Sequence, residues 1–182
     1  MSQDLIAEKM SWLDRMIIHP DNASLFTDES QLEIQRELST RWVNENRLEL
    51  LNDLAGKYGQ ERILAVLDQI ISANSIRDWA DEATRNDNSL ANFIRLLWVP
   101  LEKVGFEYSF KQEGNVTKFC VTRCPLAELA KQTGSETWMY HLLCLTDEPS
   151  VTGFNSGIRF NRTRTLIQGY PDCDHTYTDL SI

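Results

Sequence analysis

With 182 residues, 42% of them apolar, the chain has the length of one domain and enough hydrophobic side chains to build a real core. A formal net charge of −9 argues against binding nucleic acid or an anionic membrane surface, both of which reward basic patches. No stretch approaches the ~18 consecutive apolar residues of a membrane span. The opening MSQDLIAEKM carries charge and lacks the long apolar run of a secretory signal. Four cysteines in such a chain point to a reducing compartment, where thiols stay free or bind metal, so a cytoplasmic location is expected.

Residues 1–104 read as helices. QLEIQRELSTRWVNENRLELLNDLAGKYG spaces Leu32, Leu38, Trp42, Leu48, Leu51 and Leu54 helically and stops at Gly56 and Gly59. QERILAVLDQIISANSIRDWADEA then sets Ile63, Leu64, Leu67, Ile70 and Ile71 on one face. SLANFIRLLWVPLEKVGF predicts a further helix, with Ser89 as N-cap and an interruption or end near Pro100. This half reads as scaffold; substrate cover and a face for a homo-oligomer are the other roles open to it.

From Gly105 the pattern changes. FEYSFKQ and VTKFCVT alternate around a Glu-Gly-Asn turn and predict a hairpin. CPLAELAKQTG and SETWMYHLLCL predict two short helices, 147–157 reads as a loop, and 157–167 and 174–180 read as strands. The expected fold is therefore α+β, with a helical N-terminal half packed on a C-terminal antiparallel sheet that carries two short helices. Residues 1–104 and 105–182 are expected to form one integrated domain.

Candidate chemistry gathers in the second region. Pro125 suits the first position of a helix, which puts Cys124 at the N-cap; there the helix dipole and free N–H groups lower a thiol pKa, with Arg123 adding to the effect. A small buried residue at a strand–helix junction is the plainer reading. Tyr140 and His141 precede Cys144 by four and three residues, so a helix sets them on one surface, as nucleophile and base, as metal ligands, or as a buried pair. In FNRTRTLIQGYPDCDHTY the expected strand shows Arg162 and Arg164 on one side and Thr163 and Thr165 on the other. It then turns at Gly169 and Pro171 into Cys173, Asp174 and His175. Paired guanidinium forks match a carboxylate, and Asp174 either orients a proton carrier or neutralises an arginine. No Cys-x-x-Cys, Gly-x-Gly-x-x-Gly, phosphate loop, His-Glu-x-x-His or Gly-x-Ser-x-Gly occurs.

The ordered set Cys124, Pro125, Glu128, Gly134, Cys144, Asp147, Arg162 to Leu166, Gly169, Cys173 and Asp174, spread over residues 105–177, resembles the L-2-amino-thiazoline-4-carboxylic acid hydrolase family. The resemblance implies hydrolysis of a cyclic amidine, opening the aminothiazoline ring to N-carbamoyl-cysteine. It implies Cys124, Cys173, Asp174 and His141 as catalytic residues, with Arg162, Thr163, Arg164 and Thr165 meeting a small carboxylate-bearing heterocycle. No cofactor is expected; in the alternative where zinc is held, Cys124, Cys173 and His175 would be its ligands. His175 departs from the pattern, which has an aromatic after Cys-Asp, and reads as an added base, an added ligand or a changed substrate. The same Cys-Pro, Cys and Gly-x-x-x-Cys rhythm also resembles vinyl-reductase-type sensing domains, which gives a binding module as the alternative function.

Overall fold

The computed structural model describes residues 11–181. The chain divides into two compact units, one reaching to residue 74 and one from Ser75 onward. In the first, residues 11–17 are helical (α1), followed by α2 (Glu29–Arg41), α3 (Arg47–Tyr58) and the first part of α4 (Gln60–Arg85). The single helical run expected over 31–59 is two helices. Asn46 caps the second, its side chain accepting from the N–H groups of Leu48 (3.0 Å) and Glu49 (3.2 Å), and this outweighs continuity of the apolar stripe. Gly56 lies inside α3 and the helix ends at Gly59. Leu13, Met16, Ile34, Leu38, Trp42, Leu50, Leu51, Leu54, Ile63 and Ile70 are buried. A buried Asn22–Asn74 pair (2.9 Å) ties α4 to the carbonyls of Met16 and Ile17, through the Asn22 amide (2.7 and 2.9 Å).

The second unit carries an antiparallel sheet of order β1-β2-β4-β3, formed by Glu107–Glu113, Val116–Arg123, Cys173–Asp179 and Ile158–Asn161 for β4 and β3 respectively. The expected hairpin is present, with Gly114 (φ 57°) in the two-residue turn between Glu113 and Val116, where a side chain would be strained. Helix α5 (Leu90–Lys103) begins at Ser89, whose hydroxyl accepts from the Asn92 N–H (3.3 Å). It runs through Pro100 rather than stopping there, because a proline one turn from the end costs a single intrahelical bond. Its Trp98 ring stacks on Phe119 of β2, 4.1 Å between centroids. Among the described residues no helix is long and apolar enough to cross a membrane.

Helices α6 (Pro125–Thr133) and α7 (Glu136–Leu143) follow the hairpin as expected. Asp147–Phe154, expected as a loop, is a further helix, α8. Pro149 and Gly153 disguise it: proline is tolerated in a first turn, and the glycine meets the backbone of Ile76 on α4. The expected strand over 157–167 is also corrected, since β3 ends at Asn161. Beyond it the N–H groups of Thr163 and Arg164 donate to the Asp174 carboxylate (2.9 and 2.8 Å) instead of to a neighbouring strand, so the chain leaves the sheet.

Candidate active site

Strand alternation sets Cys173, His175 and Tyr177 on one face of β4, all three buried, opposite Val121, Phe119 and Thr117 of β2. His175 Nε2 lies 3.2 Å from Asp147 Oδ2, at the first residue of α8. The same oxygen accepts from Nη1 of Arg162, which also donates to the Cys144 carbonyl (3.0 Å). The Arg162 and His175 side chains are each 9% exposed and that of Asp147 19%, so the charges are paired out of bulk water. A carboxylate only accepts, so in the neutral imidazole Nε2 carries the proton and Nδ1 presents a lone pair.

That Nδ1 has no hydrogen-bond partner in the protein, while the Trp98 indole N–H and the buried Tyr177 hydroxyl interact with each other, the indole opposing the rise that burial causes in the Tyr177 pKa. The three side chains are neighbours. Trp98 stands edge-on to the His175 ring (5.1 Å), both Trp98 and Tyr177 contact Phe119 (4.1 and 6.0 Å), and both His175 and Tyr177 contact Phe160 (5.9 and 5.3 Å).

The thiols differ from the sequence expectation. Cys124 does sit at the N-cap of α6 with Pro125 at its first position. Yet burial raises its pKa, outweighing the Ala127 and Leu126 N–H groups that favour the thiolate. Arg123 adds no help, because its guanidinium is held bidentately by Glu128 (2.8 and 3.2 Å). Burial also raises Cys144 and pushes Cys173 up to about 11, although Leu166 N–H donates to the Cys173 sulfur (3.1 Å). Cys124, Cys144 and Cys173 lie within electrostatic range of one another and of Asp147. Cys120 sits opposite Asp174 on the other face of the sheet. All four thiols are free.

A measurable pH effect follows. The Cys173 pKa rises from 9.0 unfolded to about 11 folded, so the fold favours the protonated thiol. Its contribution is complete below pH 9 and lost as pH climbs through 11, on the order of 2–3 kcal/mol at about 1.4 kcal/mol per unit. Urea midpoints are expected to fall between pH 9 and 11, and to fall less in Cys173→Ala; identical slopes would contradict the assignment.

The expected carboxylate clamp is largely occupied by the protein itself. Arg164 pairs with Asp172 (2.7 Å) and Asp174 (3.3 Å). The Thr163 hydroxyl donates to Asp174 (2.6 Å), and Thr165, buried, donates to Gln168 Oε1 (2.8 Å) and caps a 3-10 turn at Leu166–Gln168. Burial alone would raise the Asp174 pKa, but the Thr163 hydroxyl and the N–H groups of Thr163 and Arg164 hold it below the usual carboxylate value. Asp174 thus clamps the segment after β3. Arg162 is the arginine that reaches the buried cluster, and its guanidinium also lies 5.9 Å over the Tyr140 ring. His141 lies beside Tyr140 on α7, ring centroids 5.6 Å apart, while the imidazole–carboxylate pair of the cluster is His175 with Asp147. Among the described residues no group of three or more His, Cys, Asp and Glu is arranged to hold a metal ion. Sequence reading passed over Trp98 and Tyr177, and had Asp147 only as a member of the ordered motif, without a role. Only the Cys-x-His-x-Tyr spacing, which puts 173, 175 and 177 on one strand face, was available as a signal for Tyr177.

The model of the L-2-amino-thiazoline-4-carboxylic acid hydrolase family matches residues 35–177, and the chain belongs to that family. No curated protein and no solved structure matches it.

Proposed function

We propose that this chain hydrolyses a small cyclic amidine, with L-2-amino-thiazoline-4-carboxylate, opened to N-carbamoyl-L-cysteine, as the substrate that suits it best. The observation that carries the reading is the buried Arg162–Asp147–His175 relay with an uncommitted lone pair on Nδ1. Asp147 fixes the tautomer and orients the ring; His175 acts as general base. Nδ1 takes a proton from water as the water oxygen bonds to C2 of the ring and the C2–N π pair moves onto nitrogen. On collapse that pair re-forms the C2–N double bond as the electron pair of the C2–S bond leaves with sulfur, which takes the proton from the imidazolium; the isourea so formed moves its hydroxyl proton to the former ring nitrogen, giving the urea and a free thiol. Arg162 supplies positive potential for the ring carboxylate. The family match supports a hydrolase and a small-molecule substrate.

Attack by a thiolate is the second reading, favoured by the Leu166 N–H on Cys173 and the helix N–H groups at Cys124. The two readings separate cleanly. If water attacks, Cys124→Ser keeps kcat within about ten-fold and quenched wild type shows no added mass; if a thiolate attacks, the serine variant loses far more and a covalent adduct accumulates. The function itself is tested by incubating the purified chain with L-2-amino-thiazoline-4-carboxylate. Ultraviolet absorbance of the ring should decay as one thiol appears per ring lost, whereas saturable binding without decay would leave a sensing module.

A further inference from the structure

We propose that β1 is a dimerisation edge, on which a second copy of this chain continues the sheet antiparallel about a two-fold axis at Ser109. β1 is an outer strand, and among the described residues no strand pairs with its far side. Glu113 and Val116 flank a two-residue turn and so exchange hydrogen bonds with each other. From there the pattern alternates, which turns the backbone N–H and C=O groups of Tyr108, Phe110 and Gln112 away from β2. Such an edge is a template for another strand. It is also apolar on one face: Phe110 is 61% exposed, stacked at its inner side on Phe119 (5.2 Å) with Tyr108 two residues away.

The charges select both the partner and the register. A two-fold axis normal to the sheet keeps every side chain on its own face, so one residue of β1 must oppose itself. With Ser109 on the axis, Glu107 of each copy faces Lys111 of the other, and Tyr108 of each faces Phe110 of the other. Phe110 on the axis would set Glu107 against Glu113, and Lys111 on it would set that lysine against itself; like charges directly opposite are destabilising. Tyr108 on the axis pairs no charges, and Gln112 on it runs Phe110 past the end of the second copy's strand. Lys111 also has a like charge on its inner side, because its partner in β2 is Lys118. Glu107 of a second copy supplies the acid on the outer side. Within the chain Glu107 reaches Arg123 at 3.7 Å and Lys111 meets Glu113. These are exposed pairs, which contribute little and let both side chains turn outward.

Sedimentation equilibrium on the full chain tests this. Wild type is expected to move from the 21.0 kDa monomer toward twice that mass as concentration rises. The expected Kd is about 1–100 μM, because one strand per chain is a contact at the small end of specific interfaces. Lys111→Glu and Glu107→Lys each place like charges opposite one another at both ends of the contact. Each is expected to weaken self-association by about ten-fold or more. Mixed in equal amounts, the two variants set acid against base at both ends, and the mixture is expected to associate at least as tightly as wild type. Both side chains are exposed, so both variants keep the fold. A wild-type chain still monomeric at about 500 μM overturns the proposal. So does a dimer that either variant leaves unchanged, or a mixture that associates no better than its components, since the contact then lies elsewhere.

Discussion

His175→Gln is expected to lower kcat for ring opening by about a thousand-fold while leaving the fold intact. Glutamine is close in size, and its amide can still donate to Asp147, so the Arg162–Asp147 pair keeps a neutral neighbour and the core keeps its volume. What disappears is the basic lone pair. The amide oxygen that replaces it is far too weak a base to take a proton from water. Asp147→Asn is a poorer probe, because it strands the Arg162 charge in a site where that side chain is 9% exposed, and breaking a buried pair costs about 3–5 kcal/mol. Stopped assays with circular dichroism on the same samples decide the point. A kcat within ten-fold of wild type in folded His175→Gln would falsify the base assignment and return the thiols to first place.

The second large effect concerns stability. A Cβ built on Gly153 would lie 2.3 Å from the carbonyl oxygen of Ile76 and 2.8 Å from its Cα, both backbone atoms of α4. No rotamer relieves a clash with main chain, so α4 and α8 must separate and expose Val151 and Phe154, which are buried beside Phe93 and Trp79. Gly153→Ala is expected to destabilise by about 3–5 kcal/mol, at the upper end for single substitutions. Gly56 is the control, being also helical but with nothing within 4 Å of its Cβ position. Gly56→Ala should stabilise by about 1 kcal/mol through helix propensity alone. Urea unfolding of the two variants reads both signs; equal midpoints would mean that α4 and α8 do not pack as described.

The candidate site was legible in part. Cys124 at the start of α6 follows from Pro125 alone, since a fixed φ and a missing N–H suit that position whatever surrounds it. The thiol's protonation state does not follow, because it depends on how deeply the chain around it is covered. Arg162 and Arg164 read alike in FNRTRTL, and the fold separates them: Arg162 is buried against Asp147, whereas Arg164 stays partly exposed between Asp172 and Asp174. His175 stood out as a departure from the family pattern, but its partner Asp147 is 28 residues away, in a stretch that reads as a loop.

What the amino-acid order determined by itself were the features whose cause is local. These are the α+β sequence of elements, the hairpin at Gly114, the caps at Ser89 and Cys124, and the ordered motif shared with its family, because period, turn chemistry and capping act over a few residues. Tertiary structure alone decided where β3 stops, that Asp147–Phe154 is helical, which arginine is buried, and that His175 meets Asp147. Those outcomes rest on burial and on contacts between residues far apart in the chain, whose energies exist only once the sheet and its helices have closed around them.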